Sequence, residues 1–224
     1  LQEKLTLAIR KGRPVHFLPP YRADNKLKLS RWLGICPEAI ADRISIELAI
    51  AIVSLRDKKS DEEIREIEDA CEIGYRMHTT AMKMCRPGAR ERDIAGAIEG
   101  IALEMGEGVS FHSIVTQHGE TLHNHGHDGI LESGRMLLVD AGAENLMNYC
   151  SDFTRSYPVN GRFTPMQRDI YEIVLAANAH AFEMAKPGLL YKEVHLACVK
   201  VILEGLKSLG LVRGDMDEAV ANGV

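Results

Sequence analysis

Two aspartates twelve positions apart, Asp140 and Asp152, are the residues of this sequence best placed to do chemistry together. Asp140 stands in Val139-Asp140-Ala141-Gly142, and Asp152 in Ser151-Asp152-Phe153-Thr154-Arg155. A hairpin with a loop of about five residues centred on Leu146 would set the two directly opposite each other. Their even separation then puts both side chains on one sheet face, with Cβ atoms roughly 4.5–5.5 Å apart. Carboxylates so close repel one another and are costly to desolvate. A divalent cation between them removes both penalties, and one carboxylate can bridge two ions roughly 3.5–4 Å apart. In the alternative, one aspartate caps a turn and the other meets Arg155 in a salt bridge. Spacing alone leaves both readings open.

Histidines form the second candidate group: His118, His123, His125 and His127, the last followed by Asp128. The run His123-Asn124-His125-Gly126-His127-Asp128 has a superficial likeness to the H-x-H-x-D-H zinc motif of metallo-β-lactamase-type hydrolases. Its final His and Asp are in reverse order, so that ligand geometry does not carry over. His125 and His127 read as solvated loop residues. His123 follows apolar Leu122 and could be oriented by the adjoining strand.

These groups need elements to position them. Residues 1–56 read as a short helix, a strand near Val15–Leu18, a break at Pro19-Pro20 and further helical pattern. A charged junction, Arg56-Asp57-Lys58-Lys59, follows. Ser60 with Glu63 forms a capping box, and Ile64, Ile67, Cys71, Gly74, Met77, Ala81 and Met84 then recur at helical spacing up to Arg86-Pro87-Gly88. A second helix runs through Ile94, Ala97, Ile98, Ile101 and Met105. Strands are predicted at Val109–His112, Met136–Val139 and Asp152–Val159. Thr164 with Gln167 and Pro165 opens another helix, Lys186-Pro187-Gly188 stops it, and a last one spans Leu190–Leu209. The two helical stretches match at an offset of one hundred residues: Glu72-Ile73 with Glu172-Ile173, Met84 with Met184, and Pro87-Gly88 with Pro187-Gly188. This suggests an internal duplication whose second set of strands would fall beyond Val224.

Composition sets the outer limits. A net charge of −5 with dispersed Lys and Arg offers no footprint for nucleic acid. The most apolar run, Leu48–Leu55, is too short for a membrane span. Five scattered cysteines without a CxxC pair point to reduced thiols in a cytoplasmic protein rather than a disulfide framework.

Taken in order, these residues resemble the Xaa-Pro aminopeptidase and prolidase group of metallopeptidases. The resemblance is strongest from Leu137 through Asp140-Ala141-Gly142, then Ser151-Asp152-Phe153-Thr154-Arg155 and Pro158-Val159-Asn160-Gly161-Arg162-Phe163-Thr164, and it covers roughly Leu55–Leu211. It implies an α+β "pita-bread" fold of two pseudo-symmetric helix–strand halves around a binuclear site. Residues 1–56 would be the closing portion of an N-terminal creatinase/prolidase-like domain, and 57–224 the first part of the catalytic domain. The resemblance further implies two divalent ions, manganese foremost with zinc or cobalt as alternatives. The implied reaction is hydrolysis of peptides with proline in the second position by a metal-activated hydroxide. Asp140 matches a carboxylate that binds one metal, Asp152 the one that bridges both, and His123 a histidine beside the substrate. The intact protein would be a homo-oligomer.

Three departures temper the resemblance. The family's other ligands, one histidine and two glutamates, would lie after Val224, so this chain alone is expected to be inactive. The loop between the aspartates is one residue longer than in many members. The leading segment is too short for a complete N-terminal domain. The rival reading is a catalytically inactive module of the same fold that binds peptide or protein. A zinc hydrolase built on His125 and His127 is a third.

Overall fold

Ser60 accepts the Glu63 N–H at 3.3 Å while its own N–H donates to the Glu63 carboxylate at 2.8 Å. This reciprocal cap satisfies two of the helix's orphan donors and starts the longest helix of the fold. The structure is a computed structural model that describes residues 2–223. Its helices are α1 (Gln2–Arg10), α2 (Ala23–Leu33), α3 (Ile46–Arg56), α4 (Asp61–Met84), α5 (Glu91–Met105), α6 (Pro165–Met184), α7 (Tyr191–Ser208) and α8 (Met216–Asn222). Its strands are β1 (Gly108–Val109), β2 (Ile114–Thr116), β3 (Met136–Ala141), β4 (Ala143–Glu144) and β5 (Phe153–Pro158).

The chain divides into two units, Leu1–Arg65 and Glu66–Val224, with the division inside α4. In the first unit a 3-10 turn over Pro37–Arg43 joins α2 to α3, and Ile40 is its buried apolar anchor. Ser45 caps α3 by accepting the Leu48 N–H. The strand predicted at Val15–Leu18 does not form. Pro14, Pro19 and Pro20 bracket it, and proline removes the donors that a ladder needs.

In the second unit, α4 and α5 bury Ile73, Met77, Ala81, Ile94, Ile98 and Ala102 with Val115, Leu137, Val139 and Ala141 of the sheet. That sheet is antiparallel in the order β2-β3-β5, and β1 pairs with β4 in a separate two-stranded ribbon. The α4 face turned inward is Ala70, Ile73, Gly74, Met77, His78 and Ala81. Ile64, taken from the sequence as part of that face, is exposed. The strand predicted at Val109–His112 is confined to Gly108–Val109, and a separate strand, β2, follows at Ile114–Thr116. Residues 110–113 carry the chain between the two sheets. Met216–Asn222 adds a helix that periodicity did not reveal, capped by Asp215 accepting the Asp217 and Glu218 N–H groups.

The hundred-residue offset recurs in the helix ends. Helices α4 and α6 stop at Met84 and Met184, and α5 and α7 start at Glu91 and Tyr191. Gly88 and Gly188 both take positive φ, 84° and 91°.

Candidate metal centre

Strand β3 alternates in burial along its length, with Leu137, Val139 and Ala141 buried and Met136, Leu138 and Asp140 half-buried. Period-two geometry therefore sends Asp140 out of the helix-covered face. Asp140 is the Cα partner of Ile114 on one side and Thr154 on the other. Its Oδ1 accepts a hydrogen bond from the Thr154 hydroxyl at 2.8 Å.

This register corrects the sequence expectation. Asp140 faces Thr154, not Asp152, because the turn is centred on Met147 rather than Leu146. The cause is Asn145. Its side-chain oxygen accepts the Met147 and Tyr149 N–H groups, and its amide donates to the Glu66 carbonyl and carboxylate on α4. With Asn148 at φ 63°, these bonds set the length of the loop. Asp152 lies two residues before Thr154, so parity keeps it on the same face as Asp140. The pair is diagonal rather than opposed, at roughly 7–8 Å between Cα atoms and somewhat less between Cβ atoms.

That spacing suits a metal centre. Carboxylate oxygens sit about 2.0–2.2 Å from a transition metal, and paired ions sit about 3.5–4 Å apart. Two carboxylates on one sheet face would both be able to offer oxygens to a divalent cation. Asp152 is exposed, and its carboxylate has no hydrogen bond or ion pair among the described residues. Among the described residues neither aspartate forms an ion pair with Arg155. Arg155 instead donates to the Thr154 carbonyl and stands 5.8 Å from the Phe153 ring centroid. Among the described residues no three His, Cys, Asp or Glu side chains converge as a metal-binding set. The described residues thus offer two hard oxygen donors here and no complete cage.

Gly142 explains the Asp140-Ala141-Gly142 sequence. A Cβ there would stand 1.8 Å from the Ser151 carbonyl oxygen, and the Gly142 carbonyl accepts the Ser110 N–H. The backbone beside Asp152 passes too close to tolerate any side chain at 142. Beneath the pair lies His78, which sequence reading missed. Its Nε2 donates to the Ala141 carbonyl at 3.2 Å and its ring meets Phe153 edge-on at 6.0 Å. Burial pushes its pKa below the ordinary imidazole value, partly offset by the hydrogen bond to Ala141. Its place at i+4 from Gly74 was the available signal.

His123 stands on the exposed loop between β2 and β3 with φ 50°. No hydrogen bond or ion pair among the described residues joins it to either aspartate. His125 and His127 gather elsewhere. Their rings lie 4.4 Å and 5.8 Å from that of His112, and His127 Nδ1 faces the Val115 carbonyl. A cleft of about 350 Å³ is lined by Met82, Cys85, Arg155, Tyr157, Phe163 and Tyr171 among others, and none of the three predicted site residues borders it.

Residues 65–221 match the model of metallopeptidase family M24. A probable Xaa-Pro aminopeptidase of Botryotinia fuckeliana is 40% identical over 172 residues, which are 75% of this chain and 37% of that protein. The Xaa-Pro aminopeptidase of Escherichia coli K12 is 37% identical over 166 residues, again spanning 37% of its length. Among solved structures, aminopeptidase PepP of Pseudomonas aeruginosa superposes with a TM-score of 0.77 at 32% identity, covering 93% of this chain and 49% of that one. Zinc-substituted E. coli aminopeptidase P in complex with product gives 0.69 at 37% identity, covering 74% and 38%. The mixed helix–strand architecture expected from the resemblance is therefore the fold observed, in the portion this chain spans. The chain belongs to metallopeptidase family M24.

Proposed function

We propose that this chain is part of a metallo-aminopeptidase that releases the N-terminal residue from peptides with proline in second position. The observation that carries the proposal is the Asp140–Asp152 pair, two carboxylates on one sheet face with Asp152 left unpartnered. The relatives support the substrate class. Their names specify Xaa-Pro cleavage, and one E. coli aminopeptidase P structure holds the inhibitor Pro-Leu. Asp140 would bind one divalent ion and Asp152 would bridge two, with manganese foremost and zinc or cobalt as alternatives. Such ions polarise the scissile carbonyl and lower the pKa of bound water. The Thr154 hydroxyl, donating to the Asp140 carboxylate, would help orient it. His123 binds the peptide from the substrate side and donates to the oxygen that gains negative charge.

Residues 1–56 would be the end of a creatinase/prolidase-like domain. The protein would act in the cytoplasm, consistent with five free thiols, and as a homo-oligomer. Two carboxylates alone hold metal weakly, so the 224-residue chain by itself would not turn over.

The test is hydrolysis of an Xaa-Pro peptide by the intact protein carrying this chain, with Mn²⁺, Zn²⁺ or Co²⁺. Asp140→Asn and Asp152→Asn should each abolish turnover and lower metal affinity. A fully active Asp152→Asn protein would overturn the assignment. An intact protein that binds proline peptides without cleaving them would favour the non-catalytic module.

A further inference from the structure

Glu91 is 3% exposed, unusually buried for a carboxylate. It stands in the first turn of α5, where the helix dipole favours an anion. Its two oxygens accept from two distant backbone donors, Oε1 from the Gln117 N–H at 2.8 Å and Oε2 from the Gly129 N–H at 3.0 Å. Gln117 and Gly129 are the two ends of the loop that carries His123, each six residues from it (123 − 117 and 129 − 123). The clamp is reinforced around its edges. The Glu91 N–H donates to the Gly129 carbonyl, and the Gln117 side chain bonds the Ile130 carbonyl and the Glu132 N–H. Arg92 pairs with Asp128. A Cβ at Gly129 would stand 2.6 Å from the Glu91 carboxyl group, so glycine is what lets the carboxylate in.

We propose that Glu91 is a positioning residue for His123: by holding both ends of the Gln117–Gly129 loop on one buried carboxylate, it sets where the His123 imidazole meets the peptide. This rests on the aminopeptidase reading above and deepens it. Tying both ends of a loop removes much of its conformational freedom before substrate arrives. Small misplacements of a group near the reacting centre are costly in rate.

Glu91→Gln keeps shape and volume but replaces one acceptor oxygen with an amide that meets an N–H donor. In the intact protein it should raise amide hydrogen exchange across residues 118–128 while leaving β3 and β5 unchanged. It should also lower kcat/KM on an Xaa-Pro peptide by roughly 10- to 100-fold. The decisive readout is coupling. If Glu91 acts through His123, then Glu91→Gln added to His123→Ala costs little beyond His123→Ala alone. Gly129→Ala, which pushes on the same carboxylate from the loop side, should reproduce the exchange and kinetic changes. Multiplicative losses in the double variant, or unchanged loop exchange in Glu91→Gln, would overturn the positioning role and leave the aminopeptidase reading intact. Absence of Xaa-Pro cleavage by the unsubstituted protein would overturn both.

Discussion

At the scale of single residues, the informative side chains are those whose surroundings conflict with their chemistry. Among the described residues, Asp152 is a carboxylate without a hydrogen-bond or ion-pair partner, close to a second carboxylate whose hydrogen bond comes from a hydroxyl. A divalent cation, as proposed above, would resolve that conflict. His78 is the opposite case, a titratable ring buried against Ala141 and Phe153 with its Nδ1 unpartnered. Burial lowers its pKa in the folded state, so the unfolded chain binds more protons as pH falls through the ordinary imidazole range. Stability is therefore full above about pH 6.5 and declines below it, by at most about 1.4 kcal/mol per pH unit from this one group. Thermal melts of metal-free protein should show a steeper fall between pH 7 and pH 5 than melts of His78→Gln, whose amide can still donate to Ala141. Equal slopes would remove His78 from the account.

At the scale of elements, the β3–β5 hairpin decides whether the aspartates meet. Its parity was legible in the sequence, because an even separation survives any shift of register by two. Its exact pairing was not, because Asn145 recruits α4 to shape the turn, and that contact spans 79 positions. Gly142 is the tightest point of this element. Gly142→Ala should destabilise the second unit by more than about 3 kcal/mol, since the clash is with backbone rather than with a side chain that can turn away. Denaturant unfolding with the fluorescence of introduced or native tyrosines would measure it. A loss under about 1 kcal/mol would show that the hairpin can open without cost. The helices were more legible than the strands. Capping boxes and Pro-Gly stops are local signals, and α4 and α6 begin within a residue of where those signals place them. The short strands β1, β2 and β4 have two or three residues each and are fixed by pairing alone.

At the scale of the whole molecule, apolar surface is left uncovered. Helix α6 exposes Val174, Leu175 and Phe182 and buries only Ala177, and α3 exposes Ile46, Ile50 and Val53. Apolar residues grouped like this mark association surfaces. The 224-residue chain on its own should therefore self-associate, with a sedimentation coefficient that rises with concentration. A monodisperse, cooperatively melting monomer would contradict this. None of the described helices is long and apolar enough to cross a membrane. The chain spans only 37% of the length of the two curated relatives compared above, so the activity proposed belongs to the intact protein.

By itself the sequence pointed to the family, to the helices from α4 through α7, and to Asp140, Asp152 and His123 as the residues to watch. Those depend on residue type and local spacing, which a linear chain carries in full. Tertiary structure decided the diagonal placement of the aspartates, the Thr154 hydroxyl on Asp140, His78 beneath the hairpin and the Glu91 clamp on the His123 loop. Each of these joins residues that are at least twelve positions apart. No periodicity encodes such contacts. They follow from how one buried face of α4 and α5 packs against a three-stranded sheet.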